Sequence, residues 1–265
     1  MSITPIMERM IADGIGFRDA KVINPSISGA IVFDKGTEIA PYLPEYVAEA
    51  YDALSDDPVQ SGNVGAGTGV TVGDFQMLEQ GTKRGSMKAG VGSARVELGN
   101  DVYVCAMSIV NPLGNIINPD GSILAGARDE TKKFKTFEDT TDFVTNQQSN
   151  TTISIVGLNI DLGSREAYER VAQMATHGHV RAIKPVQTSV DGDTVFVFSN
   201  LEKKVLLNDM GQYFETPDWP LFTLDIIGNA AAQAVQDSIY DACRQAETVK
   251  FDQAYKGIVP SCEGY

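Results

Sequence analysis

Residues 150–160 read NTTISIVGLNI, and this stretch decides the fold class because it is the clearest buried strand in the chain. It is β-branched and apolar, which is the composition of a core strand. Residues 128–150, RDETKKFKTFEDTTDFVTNQQSN, are polar, charged and without a helical or strand period, and they predict a loop that is solvated or partly disordered. A polar loop therefore runs directly into a buried strand, and the hydroxyl residue Thr151 lies at the boundary.

The position of Thr151 allows two interpretations. If the peptide bond after Asn150 were cut, Thr151 would gain a free α-amine, whose ordinary pKa of about 7.7 to 8.0 lets it accept the hydroxyl proton. Nucleophile and base would then belong to one residue. A threonine at the start of a strand is otherwise an ordinary strand former, so the residue type alone leaves both interpretations open.

Downstream of this strand the sequence predicts two helices and one further strand. Ser164 is expected to cap a helix, residues 194–199 (TVFVFS) to form a strand, and residues 224–248 to form a long helix with a small apolar face. His177 and His179 are too close for the i, i+4 spacing of a helical metal site, and both are expected at the surface or at the helix end.

Upstream, the strongest signals are turns between apolar runs. Gly99-Asn100-Asp101 predicts a tight hairpin between strands at 93–98 and 102–110, and 118–121 (NPDG) predicts the turn of a following stretch, which together suggest an antiparallel meander. Helices are expected from Thr4, as N-cap, and from Pro44, with a buried strand at 30–34. Separate groups of helices and mostly antiparallel strands indicate an α+β layered fold.

Bulk composition excludes several classes of function. The formal charge of −14 opposes nucleic-acid binding, since phosphate contacts need a basic patch. No apolar run approaches the roughly 18 to 20 residues that span a bilayer, which predicts a cytoplasmic protein without a membrane partner. Three widely spaced cysteines suggest neither disulfides nor a zinc site, and neither metal nor other cofactor is expected. Residues 62–73 (GNVGAGTGVTVG) are glycine-rich but lack the Gly-Lys-Ser/Thr ending of a phosphate-binding loop.

Six ordered blocks resemble one family: GAIVFD at 29–34, GNVGAGTG at 62–69, KAGVGSA at 88–94, IVNPLG at 109–114, NTTIS at 150–154 and VDGDTVF at 190–196. The chain resembles the self-processing aminopeptidases that include the L-aminopeptidase/D-esterase, β-peptidyl aminopeptidases and nylon-oligomer (6-aminohexanoate-oligomer) hydrolases. The resemblance implies a layered αββα sandwich of the N-terminal-nucleophile hydrolase kind, built from mostly antiparallel sheets flanked by helices. It also implies a single domain, 1–265, cut into chains 1–150 and 151–265.

The resemblance assigns roles to particular residues. Thr151 is the expected nucleophile, released by cleavage after Asn150, and Asn111 is the expected donor to the oxyanion. Asp191 and Asp193 are expected to orient the nucleophile and its amine. The glycine-rich segment with Gly65 and Gly67, and Phe33 where some nylon-oligomer hydrolases carry tyrosine, are expected to contact substrate. The implied substrates are short peptides or ω-amino-acid oligomers, and a homo-oligomer is implied without a cofactor.

The sequence departs from the family pattern in two main ways. Relatives carry roughly a hundred residues before the first helix of this chain, and many place a lysine where Asp74 stands. Lys83, Arg84 and Lys88 are candidates to replace that cation. A non-catalytic relative that acts as a binding or assembly protein is therefore kept as the alternative function, and a truncated product without a stable fold as a third.

Overall fold

The structure is a computed structural model that describes residues 3–33, 44–75, 85–139, 150–204, 223–251 and 257–262. The chain separates into two compact units, Met1–Ile31 with Thr37–Val59, and Val32–Gly36 with Gln60–Tyr265. No helix within the described ranges is long and apolar enough to cross a membrane.

The smaller unit contains two short helices and a hairpin. Helix α1 (Thr4–Ala12) is followed by the antiparallel strands β1 (Phe17–Asp19) and β2 (Val22–Asn24), and then by α2 (Pro44–Asp52). Arg9 and Asp52 form an ion pair at 2.7 Å between the helices. Ile3, not Thr4, is the N-cap of α1, and no side chain caps this helix.

The larger unit is built on a four-stranded sheet with the order β11-β9-β6-β5. Its strands are β5 (Val91–Gly99), β6 (Val102–Asn111), β9 (Thr151–Asp161) and β11 (Thr194–Lys204). Smaller sheets pair β3 (Thr71–Val72) with β4 (Met87–Lys88), β7 (Asn115–Ile117) with β8 (Ile123–Ala125) and β10 (Ile183–Lys184), and β12 (Val249–Phe251) with β13 (Gly257–Val259).

Two helices, α3 (Arg165–Ala182) and α4 (Thr223–Arg244), pack on each other and on this central sheet. Ser164 caps α3 as expected, because its hydroxyl accepts a hydrogen bond from Ala167 N–H at 3.2 Å. The small face of α4 is fully buried, and its residues are Ala230, Ala231, Ala234, Val235 and Ile239. Small side chains let the helix backbone approach closely: a Cβ on Gly92 of β5 would lie 2.1 Å from Ser238 O.

The structure confirms the hairpin at Gly99-Asn100-Asp101, where all three residues have positive φ. It corrects the antiparallel meander. The pair β7–β8 lies in a different sheet from β5–β6, because Pro112 follows β6 directly and lacks the N–H that would continue the ladder. The pair β9–β11 is parallel, since α3 crosses over between the two strands.

Two further expectations were wrong, and the placement of His179, in the last turn of α3 but not at the surface, was predicted only in part. Ala30–Phe33 form no strand, and Ile31 is 71% exposed, because an apolar run makes a strand only where a neighbour completes its hydrogen bonds. Helix α4 ends at Arg244 rather than at 248, where the chain becomes extended. His179 is fully buried, and its Nε2 lies 2.8 Å from Ser154 Oγ.

The polar stretch at 128–150 is solvated only in part. Glu130, Thr131, Lys132 and Lys133 are exposed, as expected of a loop, whereas Arg128 and Asn150 at its two ends are buried. Residues 140–149 lie outside the described ranges. The boundary at Thr151 is therefore sharper in sequence than in structure, because burial already begins at Asn150.

Candidate active site

The junction of Asn150 and Thr151 is buried beside the turn that precedes β11. Asn150 is 2% and Thr151 5% exposed. Asn150 N–H donates to Val190 O at 3.0 Å, and Asn150 forms a parallel bridge with Asp191. Residues 190–193 (VDGD), here called the aspartate turn, therefore lie alongside the peptide bond between Asn150 and Thr151.

Gly192 contacts both sides of this peptide bond through its backbone. Its N–H donates to Asn150 O at 2.9 Å, and its carbonyl oxygen accepts a hydrogen bond from Thr151 Oγ1 at 2.8 Å. The first contact polarises the Asn150 carbonyl, and the second orients the neighbouring hydroxyl. No side-chain pattern in the sequence could have indicated these contacts of Gly192, because backbone atoms make them.

Asn111 lies directly opposite Thr151 in the antiparallel pair β6–β9. Paired residues point to the same face of the sheet, with Cβ atoms about 4.5 to 5.5 Å apart. Asn111 Oδ1 accepts a hydrogen bond from Thr71 N–H at 3.1 Å, whereas its buried Nδ2 has no hydrogen-bond partner among the described residues. A buried amide donor without an acceptor is costly, and it is suited to bind an oxygen that arrives with a ligand.

The two aspartates of the turn hold the backbone around Thr151. Asp193 accepts from Thr152 N–H at 2.6 Å and from Gln187 N–H at 3.1 Å, and Asp191 accepts from Leu113 N–H at 3.0 Å. Burial, and secondarily the charge of Asp191, raise the pKa of Asp193 to about 6. With the Asn150–Thr151 bond intact, the side-chain contacts of both carboxylates are with Thr188 and backbone N–H groups rather than with the Thr151 hydroxyl.

Asp74 reaches this junction from the end of the glycine-rich segment. It is 7% exposed, and its Oδ2 accepts a hydrogen bond from Asn150 Nδ2 at 3.1 Å. Its Oδ1 accepts from Thr71 Oγ1 at 3.1 Å and from Ser86 Oγ. The backbone before it requires glycine, because Gly73 has φ +75° and a Cβ there would lie 2.0 Å from Ala127 N.

Of the three cations that are candidates to replace the family lysine, the structure describes Lys88. Lys83 and Arg84 lie outside the described residues. The fully buried Lys88 donates from Nζ to Gly67 O at 2.7 Å and to Ala89 O, so its ammonium binds backbone beneath the glycine-rich segment. Arg128 is a further buried cation that the sequence did not indicate. Its Nη2 donates to Ser86 O at 3.2 Å, and Ser86 Oγ donates to Asp74 Oδ1.

Among the described residues, no hydrogen bond joins the expected substrate-contacting residues to Thr151. Phe33 is 40% exposed and lies outside any strand. Gly65 and Gly67 form a short 3-10 turn, and Gly67 packs so closely on the start of β5 that a Cβ would lie 2.5 Å from Val91 N. The roles of these three residues remain predictions. Within the described ranges no cluster of three or more His, Cys, Asp or Glu side chains could hold a metal ion.

Two curated proteins are similar in sequence to this chain. An uncharacterized aminopeptidase of Mycobacterium leprae is 28% identical over 257 residues, covering 91% of this chain and 67% of the relative. A 6-aminohexanoate-oligomer endohydrolase of Kocuria sp. is 27% identical over 199 residues, covering 71% of this chain and 52% of the relative.

The fold is also shared with a solved structure. The L-aminopeptidase D-Ala-esterase/amidase of Ochrobactrum anthropi, described as a new variant among the Ntn hydrolase fold, matches with a TM-score of 0.55 at 21% identity. The match covers 83% of this chain and 55% of that one, so the chain spans little more than half the length of this structural relative. It confirms the expected Ntn-hydrolase-like α+β fold. The sequence profile of Peptidase family S58 matches residues 6–256, and the chain therefore belongs to this family.

Proposed function

We propose that this protein is a self-processing amide hydrolase that cuts its own chain between Asn150 and Thr151 and then uses Thr151 as an N-terminal nucleophile. The proposal is supported most directly by the two backbone contacts of Gly192, to Asn150 O and from Thr151 Oγ1. They hold an electrophile and a hydroxyl on adjacent residues in one buried place. The products would be chains 1–150 and 151–265.

Self-cleavage follows as an acyl shift. Thr151 Oγ1 attacks the carbonyl carbon of Asn150 and forms a carbon–oxygen bond. The carbon–nitrogen bond breaks, and the hydroxyl proton passes to the departing amine. Charge develops on Asn150 O, where Gly192 N–H already donates, so this hydrogen bond strengthens in the transition state. Water then hydrolyses the ester, leaving the Asn150 carboxylate and restoring the Thr151 hydroxyl.

Hydrolysis of a substrate reuses the same groups. The free α-amine of Thr151 accepts the hydroxyl proton, the hydroxyl attacks the substrate amide, and water resolves the acyl-enzyme. Asn111 Nδ2, buried opposite Thr151, supplies a donor to the oxyanion together with Gly192 N–H. Asp193 accepts from Thr152 N–H, which places its carboxylate next to the new terminus, where an anion favours the ammonium form of the amine.

The proposed substrates are short peptides or ω-amino-acid oligomers with a free amine. The mycobacterial relative is named an aminopeptidase and the Kocuria relative an oligomer endohydrolase, and both act on amide bonds by those names. A cytoplasmic location and a homo-oligomeric assembly belong to the same proposal.

The experiment uses the purified chain and two variants, Thr151→Ala and Thr151→Ser. The parent is expected to hydrolyse aminoacyl p-nitroanilides after self-cleavage, and Thr151→Ser to retain both reactions because serine keeps the hydroxyl. Thr151→Ala should lose both. Hydrolysis by purified Thr151→Ala at the parent rate would exclude Thr151 as the nucleophile. A parent chain that stays intact and hydrolyses nothing would instead favour the non-catalytic alternative.

A further inference from the structure

The side chain of Asn150 is held as tightly as its backbone. Its Nδ2 donates to Asp74 Oδ2 at 3.1 Å, and the carboxylate of Asp74 is itself fixed by hydroxyl donors from Thr71 and Ser86. The backbone N–H of Asp74 donates to Leu113 O at 3.0 Å, which ties the carboxylate to the end of β6 beside Asn111. The Asn150 side chain therefore binds in a buried polar site.

The position of the Asn150 side chain also indicates where the side chain of a substrate acyl group would lie. In self-cleavage the acyl group that transfers to Thr151 Oγ1 is the residue Asn150. In substrate hydrolysis the acyl group that transfers to the same oxygen is the substrate residue before the scissile amide. In both acyl-enzymes the attacked carbonyl lies at Gly192 N–H, so the side chains of the two acyl groups start from the same position. The intact chain thus carries its own substrate analogue.

Release of Asn150 takes one hydrogen-bond donor away from Asp74. A buried carboxylate that loses a donor is destabilised by the lost hydrogen bond and by the desolvation that is no longer compensated. An incoming acyl group regains this free energy if it carries a donor at the position of Asn150 Nδ2. An acyl group with a methyl group at that position leaves the carboxylate short of a donor, and one with a carboxylate there repels it.

We propose that Asp74 determines the acyl specificity of the mature enzyme, an inference that rests on the proposed function. The favoured acyl groups carry a hydrogen-bond donor that is separated from the carbonyl carbon by the same number of covalent bonds as Nδ2 is in asparagine. An asparaginyl group meets this condition with an amide. A 4-aminobutanoyl group meets it with an ammonium, which also carries the charge opposite to that of Asp74.

The test compares three aminoacyl p-nitroanilides of nearly equal shape on the self-cleaved parent protein. Asparaginyl, leucyl and aspartyl groups place an amide, a methyl group and a carboxylate at the same point. We expect kcat/KM for the asparaginyl compound to exceed that for the leucyl compound by about 10- to 100-fold, the effect of leaving one buried charged acceptor without its donor. The aspartyl compound should be slower still.

The variant Asp74→Asn should abolish the disadvantage of the aspartyl compound, because its amide can donate to the substrate carboxylate. The matched control is Asp241→Asn. Asp241 also accepts from a serine hydroxyl, Ser61 Oγ at 2.5 Å, and from a backbone N–H, that of Ser93 at 2.9 Å, in a part-buried place without contact to Asn150 or Thr151. It should keep the parent order of rates.

The outcomes separate this inference from the function on which it rests. A self-cleaved parent protein that hydrolyses the leucyl compound as fast as the asparaginyl compound would overturn the role of Asp74 alone. A self-cleaved parent protein that hydrolyses none of the three would overturn the role of Asp74 and the proposed amide hydrolysis, but not self-cleavage. A parent protein that neither cuts itself nor hydrolyses any of the three would overturn the proposed function and the specificity with it. If Asp74→Asn fails to fold, the order of rates on the parent still decides.

Discussion

Replacement of Asn111 by aspartate would isolate the contribution of one hydrogen-bond donor. The substitution keeps the size of the side chain and keeps the oxygen that accepts from Thr71 N–H at 3.1 Å. It replaces the Nδ2 donor by a carboxyl oxygen that donates only while it is protonated. In the parent, Nδ2 is buried and has no partner among the described residues while Asn150 and Thr151 are joined. Fold and donor are thereby separated in one variant.

The expected loss follows from the energy of one oxyanion donor. Removing such a donor costs about 2.7 to 4 kcal/mol in the transition state, which corresponds to a 100- to 1,000-fold lower kcat. Since Asn111 is fully buried, an aspartate there would have a raised pKa and, when protonated, would still donate through its hydroxyl. The deficit relative to the parent should therefore grow as the pH rises.

The assay is hydrolysis of an aminoacyl p-nitroanilide by self-cleaved Asn111→Asp and parent proteins between pH 6 and 9. Asn115→Asp is the matched control: Asn115 is also a buried asparagine, and it bonds to Ala127 N–H and Lys135 O rather than near Thr151. It should lose stability without a comparable loss of kcat. A folded Asn111→Asp protein with kcat within about threefold of the parent at every pH would refute the role of Asn111.

Two further predictions concern stability, measured by urea unfolding in the Thr151→Ala background so that the chain stays intact. Burial and Asp191 raise the pKa of Asp193 from 3.8 to about 6. Between about pH 4 and 6 this carboxyl group is therefore protonated in the folded chain and ionised in the unfolded chain. The free energy of unfolding of the protein with Asp193, relative to that of Asp193→Asn, should therefore fall by about 2 to 3 kcal/mol as the pH rises through this window and stay level above it. A difference independent of pH would contradict the assignment. Ser154→Ala should cost about 2 to 4 kcal/mol, since it removes the contacts of Ser154 Oγ with His179 Nε2 at 2.8 Å and Ser108 Oγ at 2.7 Å and leaves buried groups unpaired. The N-cap variant Ser164→Ala should cost only about 1 kcal/mol, and equal losses would show that the buried network contributes no more than a helix cap.

The sequence predicted the parts of the fold that depend on local pattern. The strand from Thr151, the hairpin at 99–101 and the cap at Ser164 rest on composition, turn chemistry and a capping side chain within a few residues. The strand expected at 30–34 and the sheet that contains β7 depend on which distant segments pair. No local pattern records that choice, so these expectations were wrong.

The site shows the same division. Thr151, Asn111 and the aspartate turn were identified through family motifs, and the structure brings all three together. The contacts of Gly192, Asp74 and Arg128 involve backbone atoms or residues far apart in sequence, such as Asp74 with Asn150. His179 lies in the last turn of α3, as expected, but it is buried, whereas a polar residue near a helix end usually faces solvent. Here burial lowers its pKa to about 4, which keeps the imidazole neutral beside Ser154.

The most direct test of the central claim is the intact mass of the purified protein under denaturing conditions, followed over time at neutral pH beside Thr151→Ala. The account predicts that the parent chain of 28.5 kDa gives way to two masses whose boundary falls between Asn150 and Thr151, while Thr151→Ala keeps a single mass. A parent mass that never changes, or cleavage of Thr151→Ala at the same bond and rate, would contradict it.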